Sequence, residues 1–342
     1  MKIVTFGEIM LRLSPPGFAR LVQAPRFDVT FGGGEANVAA SLAAYGLESH
    51  FLTKLPRHEI GQAALNHLRR YGVHTDAVVR GGDRLGIYFL ENGAGQRPSK
   101  VLYDRAGSAV TTLSPGEVDF DALFEGACWF HWTGITPALG EQPRRTLRAA
   151  CEAARRHGAR ISCDLNYRSK LWSVAEARAV MQPLMGCVDV CIANEEDAEK
   201  SLGLTADGAD VAHGRLEEAG YADLARRLRE TYGFRTVAIT LRESFSASHN
   251  GWSALMLDDR DCSAPYRSRR YEITLVDRVG GGDAFAGGLI YGLLTKRNTR
   301  DALEFAVAAS CLKQTIPGDF NLVSAEEVER LTAGGGSGRV ER

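Results

Sequence analysis

No stretch of this 342-residue chain is apolar for long enough to cross a bilayer, since a membrane helix needs roughly 20 apolar residues. Charge of one sign is also missing. The formal net charge is −1, so no global basic field favours nucleic acid or an anionic membrane surface. The first residues, Met1-Lys2-Ile3-Val4, run straight into a strand pattern rather than a signal-peptide layout, and a cytoplasmic location is the expectation. Cysteine is scarce and odd in number, at 7. Cys163 and Cys191 sit in the apolar runs ISCDL and VDVCIA, which suits buried reduced thiols better than disulfides. No matching Cys/His pair accompanies Cys187 and Cys191, so a metal site there is disfavoured. Common nucleotide signatures are lacking too. No Gly-Lys dipeptide occurs, which excludes a Walker A loop. Neither glycine cluster fits G-x-G-x-x-G, because position 37 is Asn and position 285 is Phe, which counts against a nicotinamide or flavin oxidoreductase. No repeat of fixed period is present.

What remains is an ordinary globular balance, with 44% hydrophobic and 24% charged residues. Short apolar runs alternate with longer amphipathic ones. Strands are expected at Ile3–Met10, Ala127–Thr133, Arg160–Asn166, Val188–Ala193 and Thr236–Leu241. Helices are expected at Glu35–Tyr45, Gln62–Tyr71, Gln142–His157, Val174–Met185, Glu195–Leu202, Tyr221–Tyr232, Asp283–Leu294 and Asp301–Thr315. This alternation predicts an α/β fold, a parallel sheet with helices on both faces. Two stretches break the rhythm. Arg12–Phe31 and Arg84–Arg105 alternate apolar and polar residues around Gly and Pro turns, and predict antiparallel strands of a small β lid. The expectation is one domain over 1–332, a loop at Leu204–Gly220 and a disordered Gly-rich tail over 333–342.

Two glycine clusters carry the chemistry. In Asp277-Arg278-Val279-Gly280-Gly281-Gly282-Asp283, three glycines precede an acid that opens an apolar helix. Glycines let backbone N–H groups converge, and a helix N-terminus adds partial positive charge. Together Gly280, Gly281 and Gly282 suit an anion hole for a transferring phosphoryl group. Asp283 beside it is placed to take a hydroxyl proton. Taken alone, the motif fits a plain N-cap equally well. The second cluster, Gly32-Gly33-Gly34-Glu35-Ala36-Asn37, also opens a helix, and Asn37 offers hydrogen bonds to hydroxyls. Taken alone, it reads more readily as a tight turn.

The pair GGGEANVA and DRVGGGDAFAGG, in this order and spacing, resembles the PfkB (ribokinase-like) carbohydrate kinases over essentially the whole chain except the tail. The resemblance implies a ribokinase-like doubly wound sheet flanked by helices, with a β lid over the sugar. Trp129–Ile135, Asp164–Arg168, Leu102–Arg105 and Ile316–Asn321 are similar to the branch that phosphorylates 2-keto-3-deoxygluconate at its 6-hydroxyl. It implies ATP and Mg2+ as requirements. An acid substrate calls for fixed cations, and Arg105 and Arg168 suit one because a guanidinium grips a carboxylate in bidentate fashion. The resemblance places Gly34, Tyr88, Tyr103 and Arg105 on the sugar side, with Asp319 as a downstream acid touching the sugar. It places Asn166 and Arg168 between sugar and phosphates, and Asn194, Thr240 and Arg242 at the nucleotide. Glu195 is implied as a metal partner through water, and Asp197 stays open. Two positions depart from the usual Asp-Thr-x-Gly-Ala-Gly-Asp: Arg278 stands for Thr and Gly281 for Ala. Family members often bind a monovalent cation near this loop, and no residue assigns one here. Competing readings are a kinase for a neutral sugar or nucleoside, or a sugar-sensing module without catalysis. A homo-oligomer, at least a dimer, is expected from the exposed edges of the lid.

Overall fold

The computed structural model describes residues 1–206 and 218–335. Its first third runs β1 (Lys2–Phe6), β2 (Met10–Ser14), β3 (Asp28–Gly32), α1 (Gly34–Ala44), β4 (Glu48–Leu55), α2 (Glu59–Arg70), β5 (Val78–Arg80), β6 (Ile87–Glu91) and β7 (Lys100–Asp104). The middle carries α3 (Phe120–Phe124), β8 (Ala127–Thr133), α4 (Ile135–Ala138), α5 (Glu141–Arg156), β9 (Arg160–Asp164), α6 (Val174–Leu184), β10 (Val190–Ala193) and α7 (Glu195–Leu202). The last third holds α8 (Glu218–Tyr232), β11 (Thr236–Ser246), β12 (His249–Asp258), β13 (Asp261–Arg267), β14 (Tyr271–Thr274), α9 (Gly281–Thr295), α10 (Thr299–Lys313) and α11 (Ala325–Thr332).

A 10-stranded sheet has the order β13-β12-β11-β10-β9-β8-β1-β4-β5, with β14 also on β12. Its two faces explain the uninterrupted apolar strands. Val4, Phe6, Phe130, Trp132, Ile161 and Cys163 join the core shared with α5 to α8. The alternate residues Ile3, Trp129, Val190 and Ile192 join the core under α1, α9 and α10. A strand's side chains point to opposite faces in turn, so both sets come from the same segments.

Four expectations need correction. The run Ile3–Met10 is not one strand: β1 ends at Phe6, and Gly7–Ile9 carry the chain out of the main sheet into β2. The main sheet is mixed rather than parallel, because β12 returns antiparallel on β11 and receives β13 and β14. Residues 243–275 alternate too irregularly for their pairing to be read from sequence. The lid is a separate 4-stranded sheet, β3-β2-β6-β7. Its outer pairs are antiparallel, but β2 and β6 run parallel. Both strands rise from the main domain in the same sense, and the long path between them supplies the crossover a parallel pair needs. Part of the expected loop Leu204–Gly220 is helix, since α8 begins at Glu218, and 207–217 lie outside the described residues. So does most of the expected tail, 336–342.

Candidate active site

The parallel strands β1, β8, β9, β10 and β11 all end at one side of the sheet, and the lid stands over those ends. Ligands of open α/β sheets bind outside the carboxyl ends of the strands. A cavity of about 720 Å³ opens there. The side chains or backbone of Gly34, Asn37, Tyr88, Tyr103, Arg105 and Asp319 line its lid half. Asn166 and Arg168 lie on its wall after β9. Asn194, Glu195, Thr240 and Arg242 line the far half, after β10 and on β11. Gly280, Gly281, Gly282 and Asp283 lie between the halves. Residues scattered over the whole chain thus meet in one place.

The glycine loop acquires its shape from Gly280. Its φ of +82° lies in the left-handed region, and a Cβ there would stand 2.1 Å from the Asp319 carbonyl oxygen. The Gly281 N–H is already spent on the Arg278 carbonyl at 3.3 Å. As the next two residues of α9, Gly282 and Asp283 have N–H groups with no acceptor inside the helix. Of the three glycines expected to line an anion hole, Gly281 thus has its N–H turned into the loop, and Gly282 keeps its amide free within the helix. Beneath the loop, Lys313 is fully buried and donates from Nζ to the Asp277 carbonyl at 3.2 Å. Burial lowers its pKa, while the charges of Asp277 and Asp319 oppose that shift.

Asp283 sits in the first turn of α9. Asn37 Nδ2 donates to its Oδ2 at 2.6 Å, and Asn37 Oδ1 accepts from Gly33 N at 3.2 Å. Asn37 was expected to meet a substrate hydroxyl; in this structure both ends of its amide are engaged in orienting Asp283. The surrounding protein raises the Asp283 carboxyl to about 6, with Asn37 and Arg168 holding it lower than burial alone would. An acid poised there is ionised at neutral pH yet basic enough to accept a proton.

Two expected substrate contacts carry partners that the sequence concealed. Arg105 donates from Nη1 to Glu8 Oε1 at 2.5 Å, and both are buried. Its guanidinium also lies 4.5 Å from the Tyr103 ring centre. Glu8 Oε2 is buried without a partner among the described residues, and burial raises the Glu8 carboxyl above its ordinary range. Asp319 accepts from Arg12 Nη1 at 2.7 Å and from the Tyr88 hydroxyl. Arg12 also donates from Nη2 to Asp277 Oδ2 at 2.6 Å. Burial alone would lower the Arg12 pKa; the Asp319 and Asp277 carboxylates more than reverse it. A lid arginine thus holds the two acids that flank the glycine loop, and removing one partner of such a buried set leaves an uncompensated charge.

The far half is acidic on one wall. Burial raises Asp164 well above the carboxylate range, and the neighbouring charges of Asp197 and Asp283 add to the shift. Burial likewise raises Asp197 to about 6, against the pull of Arg168. Glu195 is raised by burial, with Arg242 opposing. Oxygen donors crowded at this cost suit a hard divalent cation, which would relieve their repulsion. Asp197 also fixes the chain after β9, its Oδ1 accepting from Tyr167 N at 2.9 Å. Asn166 there takes a φ of 39°, the one positive value for a non-glycine among the described residues. Strain of this kind gathers at functional sites. Arg12, Glu8 and Lys313 had no motif to mark them, and Asp164, though it opens the Asp164–Arg168 motif, carried no expected role.

The fold and site define a phosphotransferase of the carbohydrate kinase type. The chain belongs to the pfkB family carbohydrate kinases, whose profile matches residues 1–322. It is 53% identical to the crystal structure of 2-dehydro-3-deoxygluconokinase from Thermotoga maritima, covering 97% of this chain and 99% of that one with a TM-score of 0.93. It is 36% identical to the 2-dehydro-3-deoxygalactonokinase of Haloferax volcanii over 98% of each chain. It is 30% identical to the 2-dehydro-3-deoxygluconokinase of Thermoproteus tenax over 97% of this chain and 94% of that one.

Proposed function

We propose that this kinase phosphorylates 2-keto-3-deoxygluconate at its 6-hydroxyl, with ATP as donor and a magnesium ion held at the acidic wall. The observation that carries the reading is Asp283: its carboxylate, oriented by Asn37, stands at the head of a helix whose Gly282 and Asp283 amides, both residues at the cavity, have no acceptor inside it. The 6-hydroxyl proton passes to Asp283 Oδ as the hydroxyl oxygen bonds to the γ-phosphorus. The bond from that phosphorus to the bridging oxygen breaks, and ADP leaves with the electron pair. The Gly282 and Asp283 amides take the charge on the transferring group. Magnesium, when bound, neutralises charge shared between the phosphates. Glu195, Asp164 and Asp197 are the residues that would hold it, directly or through water.

The substrate carboxylate belongs near Arg105 and Arg168. Glu8 occupies only part of the Arg105 fork. Arg168 has no carboxylate within ion-pair distance among the described residues, and its Nη1 donates to the Tyr167 carbonyl at 2.9 Å. Lid closure over the sugar excludes water and so limits wasteful ATP hydrolysis.

The identity to a galactonate-type kinase supports a second reading, in which the C4 epimer is accepted as well. An ADP-release assay with both 2-keto-3-deoxy acids, gluconate, fructose and ribose separates these. Preference for one or both keto-deoxy acids is expected. Preference for fructose or ribose would discard the carboxylate site, and no turnover on any of them would discard the kinase reading of this chain's substrate.

A further inference from the structure

Arg278 stands where the family motif has threonine, and its nearest acid, Asp277, is the obvious partner. The structure gives that partner away. Asp277 Oδ2 accepts from Arg12 at 2.6 Å and from Gly318 N at 3.0 Å, while Oδ1 accepts from Val279 N at 3.1 Å. The Arg278 guanidinium turns instead toward the cavity. Its Nε is buried and has no partner among the described residues.

Asn250 holds its other end. With the Asn250 amide nitrogen donating to the His249 carbonyl at 2.9 Å, the amide oxygen accepts from Arg278 Nη2 at 3.0 Å. Asn250 and Trp252 are two apart on β12, and Trp252 pairs across the ladder with Arg242 on β11. Directly opposed residues share a face, as do residues two apart on one strand. The pairing therefore brings Arg278 beside Arg242. Neither guanidinium has a carboxylate within ion-pair distance among the described residues. Burial, and then the charge of Arg242, lowers the Arg278 pKa. Two like charges held together at a cavity wall cost free energy until an anion lies between them. The Trp252 indole N–H, also buried without a partner among the described residues, lines the same wall.

We propose that Arg278 and Arg242 form a guanidinium pair that grips the diphosphate of the bound nucleotide, with Arg278 the positioning residue that sets its register against the glycine loop. Planar guanidinium forks match phosphate oxygens in bidentate fashion. The opposite half of the cavity, with Arg105 paired to Glu8, handles the sugar, so the pair serves nucleotide rather than substrate carboxylate.

The proposal rests on the kinase reading, and calorimetric titration without sugar tests the two separately. ADP and AMP, each with magnesium, are titrated into the wild type, Arg278→Met, Arg278→Thr and Arg278→Lys, with circular dichroism and Tm confirming the fold. ADP affinity should fall about tenfold or more in Arg278→Met and Arg278→Thr and partly recover in Arg278→Lys. AMP affinity should change by less than about threefold, because a single phosphate cannot span both forks. The ADP affinity of the Met variant should also depend less steeply on salt. Wild-type binding of ADP with unchanged affinity in folded Arg278→Met and Arg278→Thr overturns the guanidinium pair alone. Equal losses for ADP and AMP overturn the diphosphate assignment. No ADP binding by the wild type overturns the nucleotide reading itself, and this proposal with it.

Discussion

The two glycine-headed helices look alike in sequence and are put to opposite uses. Gly32-Gly33-Gly34 opens α1, and Gly280-Gly281-Gly282 opens α9; the helices pack against one another under the same cavity. At the first, glycine is demanded by crowding from outside. A Cβ on Gly33 would stand 2.0 Å from the Glu8 carbonyl oxygen, where the chain passes from main sheet to lid. One of its leading amides is then taken, because Asn37 Oδ1 accepts from Gly33 N. At the second, the left-handed turn at Gly280 sets the helix start, the Gly281 N–H goes to the Arg278 carbonyl, and the Gly282 and Asp283 amides have no acceptor inside the helix. A glycine run before a helix thus marks a place where backbone comes close to something. Whether that something is another chain segment or an anion depends on which N–H groups already have acceptors.

The sharpest break of this comparison is at Asp283. Asp283→Asn should lower kcat by about a thousandfold or more with little change in the KM for ATP, measured by coupled ADP release. The same variant should gain stability at pH 7.5. A carboxyl raised from 3.8 to about 6 binds its proton more tightly folded than unfolded, so folding is favoured at low pH and loses that advantage as pH rises through about 6. Lost activity with a raised Tm is the signature of a catalytic group. Retention of more than a tenth of kcat in the folded variant would refute the assignment.

Next in size is the contrast between Gly280→Ala and Gly34→Ala. The first meets both a φ of +82° and the Asp319 carbonyl, and should cost about 2 kcal/mol or more in denaturant unfolding. At Gly34 an added Cβ finds Thr133 Cγ2 at 3.5 Å and Asp283 Oδ1 at 3.6 Å, which is ordinary contact. Stability should stay within about 0.5 kcal/mol there, while the sugar KM rises because the methyl enters the substrate's space. Equal stability losses at both positions would erase the distinction between the loops. The smallest effect is a shift in pH profile. The acid limb of kcat/KM should fall near pH 6 and move upward in Asn37→Ala, since the Asn37 hydrogen bond holds the Asp283 pKa down. A limb that stays put would mean that another group titrates.

Much of the main sheet was legible because its signal is local. Ala127–Thr133 and Glu195–Leu202 read correctly to the residue, one as an apolar run and the other as an acid-headed helix. Strands buried on both faces must be continuously apolar, and that needs no knowledge of their neighbours. Glu48–Leu55 escaped, since Glu48, His50 and Lys54 interrupt its apolar run. A separate small sheet was legible, but its β2–β6 pairing was not, because strand direction across a seam is a property of the path between the strands.

The sequence by itself determined the alternation of strand and helix, both glycine-headed turns and the acid after the second. These rest on residue type and spacing within a dozen positions. Tertiary structure alone decided which groups are already satisfied. It gave Arg12 of the lid to Asp277 and Asp319, Arg105 to Glu8, and Asn37 to Asp283. It thereby left Arg278 beside Arg242 at the cavity wall. Those partnerships span up to 307 residues of chain. Long-range ion pairs leave no periodicity in a sequence, because the charge that satisfies a buried group can come from any segment that the fold brings within reach.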